Sequence, residues 1–590
     1  MKAKQMNFKV KALTAGFAFS LSVSAQAEEV LSRYLVQYHS PAIVQDAARK
    51  LSAPALRNNG LQGRVRIMNN DLRLVNALRN TRMLEILATR DEAAALALDA
   101  NVALVEKEFF IPGPAPMATK TLKSTNVTAL PNPGDLFNEG EITWGLKAVS
   151  AVNAWKAAQA VDGKQTMAGR GARVLVLDTG IDRDHTDITS RFEAGRNFLG
   201  RTAPAIKSVF TALLSPADLL EGGAEGSAKY DYFDDNGHGT HVAGTILGAY
   251  NGTGVSGVAP LSHLLAGRVC GKFGCTSVGI IRGIEYGIEQ KVDVINMSLG
   301  GPQASQAARE AVAAADRANV VVVCASGNDS LGTVSYPAAY PGSLAVGAVD
   351  SHLAHATFSN WGPELGVAAP GVDVLSSVPS GSGREAKVEL EGPVSGEVKS
   401  KSFVGAAEND TPVVGELVYV GLGKSEDFTG KNLSGKFALI SRGEIPFSDK
   451  VKSAIAAGAA GVVIFNNEAG LISGSLTQDG SSVGVPVAMI EKTVGDALVN
   501  ALNAGQVAKA SMVVLRTNFS AFSGTSMASP HVAGVAALVK AANAKLTAAQ
   551  VRDILKQTAE EMQADATRPN EFGSGLVNAE AAVLKAISLR

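Results

Sequence analysis

Residues 173–180, Arg-Val-Leu-Val-Leu-Asp-Thr-Gly, place a continuous apolar run directly before the carboxylate of Asp178 and a turn glycine. A run of this kind is typical of a strand that is buried on both faces of a parallel sheet. Similar strand-like runs occupy residues 292–296 and 320–323, and the Ala-rich residues 307–318 between them predict a helix. Buried strands that alternate with helices predict an α/β fold with a doubly wound parallel sheet.

A chain of 590 residues is expected to contain several folding units. The alternating pattern covers residues 144–380 and 519–590, whereas residues 381–518 are rich in Val, Gly, Glu and Lys and predict an inserted, mainly-β domain. Residues 28–112 mix short strands and helices, which favours an α+β pro-region, although an ordinary amino-terminal domain has the same pattern. The proline-rich residues 113–143 predict a linker in which processing occurs.

The amino terminus has the composition of a secretory signal peptide over residues 1–27. Lysines are followed by the apolar residues 12–23 and by Ala25-Gln26-Ala27, a small-x-small cleavage signal. A membrane anchor is the alternative, but the apolar stretch is short for a bilayer span, and no later stretch is long and apolar enough. We therefore expect a secreted protein without a membrane anchor.

Charge and cysteine content narrow the possible functions further. The formal net charge is -1, and no basic run interleaved with aromatic residues occurs, so nucleic-acid binding is disfavoured. Of the three cysteines, Cys270 and Cys275 are close enough in sequence to form a disulfide in an exported chain. Cys324 lies in an apolar run, which predicts a buried, unreactive thiol.

Two further segments carry side chains suited to acyl transfer. Residues 236–245, Asn-Gly-His-Gly-Thr-His-Val-Ala-Gly-Thr, put His238 at the start of a predicted helix. Residues 524–531, Gly-Thr-Ser-Met-Ala-Ser-Pro-His, put Ser526 at another helix start, with Pro530 expected in the first turn. Backbone N–H groups at such a start point toward a developing oxyanion.

The Asp178, His238 and Ser526 segments, in this chain order, resemble the three motifs of the subtilisin-like serine peptidase (subtilase) family. Residues 296–301, Asn-Met-Ser-Leu-Gly-Gly, and residues 325–328, Ala-Ser-Gly-Asn, extend the resemblance. It covers the chain from about residue 144 to the carboxyl terminus apart from the insertion. The resemblance implies a subtilisin-like fold and a serine endopeptidase that needs no cofactor for catalysis.

The resemblance also implies a role for each matched residue. Asp178 orients the imidazole, His238 acts as general base and then acid, and Ser526 attacks the substrate carbonyl. Asn328 supplies an amide to the oxyanion hole. For Ser526 the ordinary alternative is a helix-capping serine, which the companion motifs outweigh.

The same motifs also imply which residues of this chain bind the substrate. Ser298, Leu299 and Gly300 are expected to pair with the substrate backbone as an extended strand. The pocket for the residue before the cut is expected to involve Ala325, Ser326, Gly327 and Ser335. Ser335 replaces a glycine of many relatives and suggests a shallower floor, and Asp329 at the rim would favour a cation.

Structural calcium is a further implication of the family resemblance. Asp187 and Asn251 occupy positions where family members supply ligands, and backbone carbonyls of residues 249–255 would complete the six to eight oxygens that calcium requires. A solvated carboxylate and a turn asparagine explain the same two residues equally well.

The insertion resembles a protease-associated domain through residues 433–443 and 450–461. Such domains carry no catalytic residues, so substrate access or partner contact is expected, and a passive spacer is the alternative. Taken together, the sequence predicts a secreted endopeptidase that acts on proteins or peptides. We expect it to be made as an autoprocessed precursor inhibited by its own pro-region.

Two rival functions are less consistent with the sequence. An α/β-hydrolase esterase would need a Gly-x-Ser-x-Gly elbow around Ser526 and the chain order Ser, acid, His. A non-enzymatic binding protein on the same scaffold would be expected to lose a triad or oxyanion residue, and none is lost.

Overall fold

The computed structural model describes residues 31–51, 64–67, 70–114, 141–162, 168–199, 231–271, 273–467, 471, 476 and 482–590. The predicted signal peptide, residues 1–27, lies outside these ranges, as do residues 115–140 of the predicted linker. Within the described ranges, no helix is long and apolar enough to cross a bilayer.

The amino-terminal unit is a five-stranded antiparallel sheet covered by helices. Its strands are β1 (Ser32–Tyr38), β2 (Arg64–Ile67), β3 (Asn70–Leu78), β4 (Met83–Ala88) and β5 (Val102–Lys107), in the spatial order β2-β3-β4-β1-β5. The helices are α1 (Pro41–Leu51) and α2 (Arg90–Leu96). Thr89 and Glu92 form a reciprocal capping box, which explains why α2 begins at Arg90. The short strand β6 (Phe110–Ile111) follows.

A seven-stranded sheet forms the centre of the molecule, and its paired strands are all parallel. In chain order the next elements are α3 (Trp144–Ala148), α4 (Ala151–Asp162), β7 (Arg173–Asp178), β8 (Phe192–Asn197), α5 (His238–Leu247), β9 (His263–Arg268), β10 (Cys270–Gly271), β11 (Gly274–Thr276), α6 (Ser277–Glu289), β12 (Val294–Met297), α7 (Gln306–Arg317), β13 (Val321–Ala325), β14 (Ser343–Val349), β15 (Leu365–Pro370) and β16 (Val374–Ser377). The spatial order of the sheet is β15-β14-β13-β12-β7-β9-β8. Helices cover both faces, as the buried apolar runs predict.

The insertion folds around an eight-stranded mixed sheet with its own apolar core. Its elements are β17 (Gly383–Glu391), β18 (Gly396–Val398), β19 (Ser400–Ser402), β20 (Asn409–Tyr419), β21 (Phe437–Ser441), α8 (Phe447–Ala456), β22 (Gly461–Phe465), β23 (Val487–Ile490), α9 (Lys492–Asn503) and β24 (Lys509–Thr517). Because β17 and β24 pair antiparallel with Gly383 opposite Thr517, the insertion leaves and rejoins the rest of the chain at neighbouring points.

The chain then completes the central unit with β25 (Phe519–Phe522), α10 (Thr525–Ala542), α11 (Ala548–Gln557) and α12 (Ala579–Ser588). Helix α10 is buried along almost its whole length and shares its core with α5. Its small residues allow this close packing.

Pro530 does not lie in the first turn of α10, contrary to the sequence-based expectation. The helix begins at Thr525, so Pro530 is inside it and cannot donate to the carbonyl of Ser526. The Ser298 hydroxyl donates to that carbonyl instead, at 2.7 Å. The helix therefore tolerates the proline because a side chain from another element replaces the missing bond.

The predicted disulfide between Cys270 and Cys275 is present and closes the β10–β11 hairpin. Cys324 is buried, and burial raises the pKa of its thiol to about 12. The thiol is therefore protonated at neutral pH and unsuited to nucleophilic chemistry.

Candidate active site

The carboxyl ends of neighbouring parallel strands bring the predicted site residues to one edge of the central sheet. Asp178 is the last residue of β7, Ser298 follows the last residue of β12, and Ala325 is the last residue of β13. These three strands are adjacent. Open α/β sheets form their sites at this edge.

Asp178 and His238 form a buried hydrogen-bonded pair. His238 Nδ1 lies 2.8 Å from Asp178 Oδ1, and the same oxygen accepts a hydrogen bond from Thr179 N at 2.8 Å. Asp178 is 1% exposed and His238 is 7% exposed. With Nδ1 donating to the carboxylate, Nε2 of the neutral imidazole is left as a proton acceptor.

The surroundings of His238 favour its protonated form. Burial opposes protonation, but the charge and hydrogen bond of Asp178, together with the charge of Asp234, outweigh it and raise the pKa of His238 above its usual value. Such stabilisation of the charged form suits a group that accepts a proton in general-base catalysis.

Ser526 is the second residue of α10, and its hydroxyl donates to the carbonyl oxygen of Ser298 at 3.0 Å. Among the described residues, the hydroxyl is thus bonded to Ser298 rather than to the imidazole of His238. Ser298 makes two contacts with Ser526, since its own hydroxyl donates to the Ser526 carbonyl. Ser298 therefore holds the start of α10 against the end of β12.

Asn328 is oriented by Thr525, the residue before Ser526. Asn328 Oδ1 accepts hydrogen bonds from the N–H and the hydroxyl of Thr525, each at 2.8 Å. The amide oxygen is thereby occupied, which leaves the side-chain NH₂ group of this exposed residue as the available donor. The Asn328 amide and the N-terminal N–H groups of α10 are thus held in one place.

The residues predicted for the substrate pocket are brought together. Ser335 N donates to Ser326 O at 2.8 Å, and a Cβ atom on Gly327 would lie 2.5 Å from Ser335 Oγ. Gly327 also has a φ of +111°, so a larger side chain is excluded there for two reasons. Leu299 is 5% exposed and packs in the apolar core, so its backbone rather than its side chain can contact a substrate. Asp329 is bonded to Asn360 through its N–H and its carboxylate.

The tail of the amino-terminal unit lies against this region through individual contacts that the sequence did not indicate. Strand β6 pairs antiparallel with β11, with Ile111 opposite Cys275. A Cβ atom on Gly301 would lie 3.1 Å from the Ile111 side chain. Further along the tail, the carbonyl of Pro114 accepts a hydrogen bond from the side-chain NH₂ of Asn236 at 3.3 Å. Asn236 lies two residues before His238. The tail thus pairs with β11 as a short strand at Phe110–Ile111 and then reaches the turn that precedes His238.

Two acidic side chains dock the amino-terminal unit onto surface helices of the central unit. The Glu106 carboxylate accepts hydrogen bonds from Gln306 N at 3.0 Å and Ala307 N at 3.3 Å, at the start of α7. The Glu285 carboxylate of α6 accepts from Asn80 N at 2.7 Å and Thr81 N at 3.2 Å. A carboxylate at a helix start is stabilised by the free N–H groups and the helix dipole. Sequence reasoning missed both residues because each partner is about two hundred positions away.

The predicted calcium ligands lie close together. Asp187 is fully buried, its Oδ1 lies 3.5 Å from Asn251 Nδ2, and its Oδ2 accepts from Val255 N at 3.2 Å. Burial, with a contribution from the charge of Glu141, raises the pKa of Asp187 to about 7, although hydrogen bonds from Val255 and Asn251 oppose the shift. A cation here would compensate a costly buried charge, so the residues present fit one.

The fit depends on backbone oxygens as well as side chains. The described residues contain no group of three or more His, Cys, Asp or Glu side chains arranged for a metal ion. The Glu141 carboxylate already accepts from Asn251 N at 2.9 Å and Gly252 N at 2.6 Å, which shapes the loop. Asp187, the Asn251 amide and carbonyls of residues 249–255 would therefore hold the ion.

Comparison with known protein families assigns most of the chain. A model of the Subtilase family matches residues 169–402, and a model of the PA domain matches residues 413–498. The first match contains Asp178 and His238, and the second lies within the predicted insertion.

Individual relatives give the same family. The intracellular serine protease of Paenibacillus polymyxa is 40% identical over 247 residues, which are 41% of this chain and 66% of that protein. The M-protease of Shouchella clausii (strain KSM-K16) is 31% identical over 369 residues, which are 62% of this chain and 80% of that protein. A crystal structure of a psychrophilic subtilisin-like protease from the Antarctic psychrotroph Pseudoalteromonas sp. AS-11 superposes with a TM-score of 0.50 at 26% identity, covering 75% of this chain and 96% of that one.

Proposed function

Because the chain belongs to the subtilase family and is a subtilisin-like serine protease, we propose that it is a secreted endopeptidase made as a self-cleaving precursor. The observation that carries the catalytic part is the buried Asp178–His238 pair at the sheet edge where Ser526 and Asn328 also lie. Secretion rests on the signal-peptide pattern of residues 1–27.

The proposed reaction proceeds through an acyl-enzyme. His238 Nε2 takes the proton of the Ser526 hydroxyl as Oγ bonds to the substrate carbonyl carbon, and the imidazolium then gives this proton to the leaving amine. Asp178 holds the imidazole and stabilises its positive charge. Before attack, the Ser526 hydroxyl exchanges its bond with the Ser298 carbonyl for one with Nε2 by rotating about Cα–Cβ. In the second half of the reaction, His238 takes a proton from water as the water oxygen bonds to the acyl carbon. The imidazolium then returns a proton to Ser526 Oγ, and the acid is released.

The oxyanion and the substrate backbone have separate partners in this proposal. The Asn328 amide and the Ser526 N–H donate to the oxygen that becomes negative during attack. The substrate runs as an extended strand between β11 and residues 298–300. The pairing of β6 with β11 supports this path, because the tail already lies along it in strand geometry.

The amino-terminal unit is proposed to inhibit the enzyme until the chain is cut. Its tail occupies the path of a substrate, and Glu106 and Glu285 fasten its sheet to α7 and α6. The cut is proposed to fall beyond Pro114, within the predicted linker, since Pro114 lies beside Asn236.

The endopeptidase proposal is tested by digestion of a reduced, unfolded protein substrate. Internal cleavage yields new amino termini throughout the substrate, and these are identified by terminal sequencing of the products. Release of single residues from one end only would contradict an endopeptidase.

The insertion, proposed to span residues 381–518, is expected to be dispensable for short substrates. Joining Gly383 to Thr517 through an Asn-Gly turn removes residues 384–516 at a point where the two strands are already paired. Ser380 remains bonded to Asp182, and Asn518 remains bonded to His185. We expect kcat/KM on a short peptide to stay within about tenfold of the full-length value, because no reacting group is removed. Cleavage of folded proteins is expected to change.

Two controls make the deletion experiment interpretable. Cooperative unfolding of the deletion variant establishes that it is folded. Lys401→Met in the full chain removes the ion pair between the insertion and Asp373, whose N–H is bonded to Ser523 near the nucleophile. Loss of peptide cleavage in a folded deletion variant, with Lys401→Met unaffected, would show that the insertion itself is required.

Calcium is proposed as a structural ion at Asp187 and Asn251, with a stabilising effect that grows with pH. In the metal-free protein the pKa of Asp187 is raised from its usual acidic value to about 7. The native state is therefore destabilised progressively as pH rises from about 4 to about 7, and the cost is complete above that range. Calcium removes this cost, so chelation is expected to lower Tm more at high pH than at low pH.

The measurement uses the Ser526→Ala variant, which cannot digest itself. A hundredfold excess of calcium over Kd stabilises by about 2.7 kcal/mol, which corresponds to roughly 5 °C in Tm for a domain of this size. Thermal unfolding is followed with calcium and with EDTA at about pH 8 and about pH 5. Adding Asp187→Asn is expected to abolish the calcium response at both values. An equal response with and without Asp187 would place the ion elsewhere.

A further inference from the structure

A second buried carboxylate, Asp234, lies between the segments that carry Asp178 and His238. It is fully buried, and it accepts five hydrogen bonds from other residues that the structure describes. The donors are Thr179 Oγ1 (2.8 Å), Asn236 N (3.1 Å), Gly237 N (2.8 Å), Thr240 N (2.8 Å) and Thr240 Oγ1 (2.6 Å).

These five bonds require a carboxylate at this position. Oδ1 accepts three of them and Oδ2 accepts the other two, so both oxygens face donors. An amide would have to turn its NH₂ group toward donors on one side, which leaves buried groups unsatisfied. A charged acceptor of this kind also makes stronger hydrogen bonds than a neutral one.

The bonds of Asp234 join two separate segments of the active site. Three of its donors are backbone N–H groups of the turn and first residues around His238, and another is the hydroxyl of Thr179, the residue after Asp178. Thr179 Oγ1 in turn accepts from Gly239 N at 2.9 Å. On the other side, Thr240 Oγ1 accepts from Asp182 N at 3.0 Å. The start of α5 and the turn after β7 are thus fixed to each other through one carboxylate.

We propose that Asp234 is a positioning residue that sets the distance and orientation of the His238 imidazole relative to the Asp178 carboxylate. This inference rests on the proposed function, since it matters only if these residues catalyse peptide cleavage. Because Asp234 is fully buried, we expect its effect to be on the chemical step and not on substrate binding.

Electrostatics add a second consequence. The titratable groups that face His238 are Asp178 on β7, Asp234 in the preceding turn and His241 on the same helix. Burial, aided by the nearby His238 and His531, lowers the pKa of His241 to about 3, so it carries no charge at neutral pH. Removing the charge of Asp234 therefore takes away one of the two carboxylates that favour the imidazolium.

The test compares Asp234→Asn with Asp235→Asn. Asp235 is the adjacent carboxylate, but its side chain is 60% exposed and pairs with Arg268. For Asp234→Asn we expect kcat to fall roughly 10- to 100-fold with KM nearly unchanged, a part of the 10²- to 10⁴-fold that general-base catalysis supplies. The acid limb of the kcat/KM profile is expected to move to lower pH, because the imidazole loses protonation more easily. Asp235→Asn is expected to match the unmodified enzyme.

The pH profile distinguishes an effect of Asp234 on the His238 imidazole from an effect on the stability of the fold alone. Rates are measured with a short peptide between about pH 5 and about pH 9, beside thermal unfolding of each variant. Precursors that fail to mature are cut in trans by a trace of tagged active enzyme, which is then removed. A lowered Tm with unchanged kcat and an unmoved acid limb would overturn the proposal.

Thr179→Val provides the second variant if Asp234→Asn does not fold. It keeps the charge of Asp234 but removes both bonds of the Thr179 hydroxyl, the one to Asp234 and the one from Gly239 N. We therefore expect kcat to fall about three- to tenfold with KM unchanged. An unchanged kcat would overturn the proposal. If the unmodified enzyme and Asp235→Asn were also inactive, the proposed function itself would fail. If both were active and Asp234→Asn had normal kcat, only the role of Asp234 would be rejected.

Discussion

Ser526→Ala is expected to accumulate as a precursor that retains residues amino-terminal to the linker and hydrolyses no peptide at a measurable rate. Removing the nucleophile eliminates acyl transfer, and in a subtilisin this costs about 10⁶-fold in kcat. The fold is expected to persist, because within the described part of the chain the hydroxyl makes one hydrogen bond, to the carbonyl of Ser298. The intact mass of the variant, produced in a protease-deficient host, is compared with that of the unmodified protein.

Ser588→Ala serves as the matched control for this experiment. Its hydroxyl donates to the carbonyl of Lys585, and Ser588 is exposed at the carboxyl end of α12, far along the chain from the nucleophile. This variant is expected to mature like the unmodified protein. Loss of the same amino-terminal segment from Ser526→Ala would mean that another protease matures the chain.

Asn328→Ala is expected to lower kcat by about 10²- to 10³-fold, the loss seen when one oxyanion-hole donor is removed from a subtilisin. KM is expected to stay within about threefold, since the amide meets full negative charge only in the transition state. The measurement is steady-state hydrolysis of a peptide with each variant matured to the same amino terminus.

A second substitution distinguishes the proposed donor role of the Asn328 NH₂ group from the structural contact of its amide oxygen with Thr525. Asn328→Asp keeps an oxygen that can accept from Thr525 N and Oγ1 but replaces the NH₂ donor with a charged oxygen. We expect kcat to fall at least as far as in Asn328→Ala. If Asn328→Asp retained normal turnover, the role of Asn328 would be to anchor Thr525 and not to bind the oxyanion.

The parts of the fold that follow from local patterns could be predicted from the sequence. The strand ending at Asp178 and the strands at residues 292–296 and 320–323 are continuous apolar runs, and both faces of the resulting sheet are covered. The Asp, His and Ser motifs indicated the subtilase family, which the comparisons confirm. The roles of the individual residues remain predictions until the variants are measured.

Features that depend on distant partners could not be predicted. Pro530 sits inside α10 because the hydroxyl of Ser298, more than two hundred residues earlier, bonds the carbonyl that the proline leaves free. Strand β6 has too few residues to show a period, and its pairing with β11 is set by the docking of the whole amino-terminal unit. In the sequence, Asp234 is one of several acidic residues in a short segment before His238. Its five hydrogen-bond donors come together only in the folded chain.

Labelling of the matured enzyme with a fluorophosphonate tests the central claim most directly, because this reagent forms a covalent adduct with an activated serine. After labelling, the protein is digested and the adduct is located by mass spectrometry, with Ser526→Ala treated in parallel. The account predicts one adduct, on the peptide that contains Ser526, with loss of peptide cleavage in proportion to labelling. An active enzyme that carries no adduct, or carries it on another residue, would contradict the account.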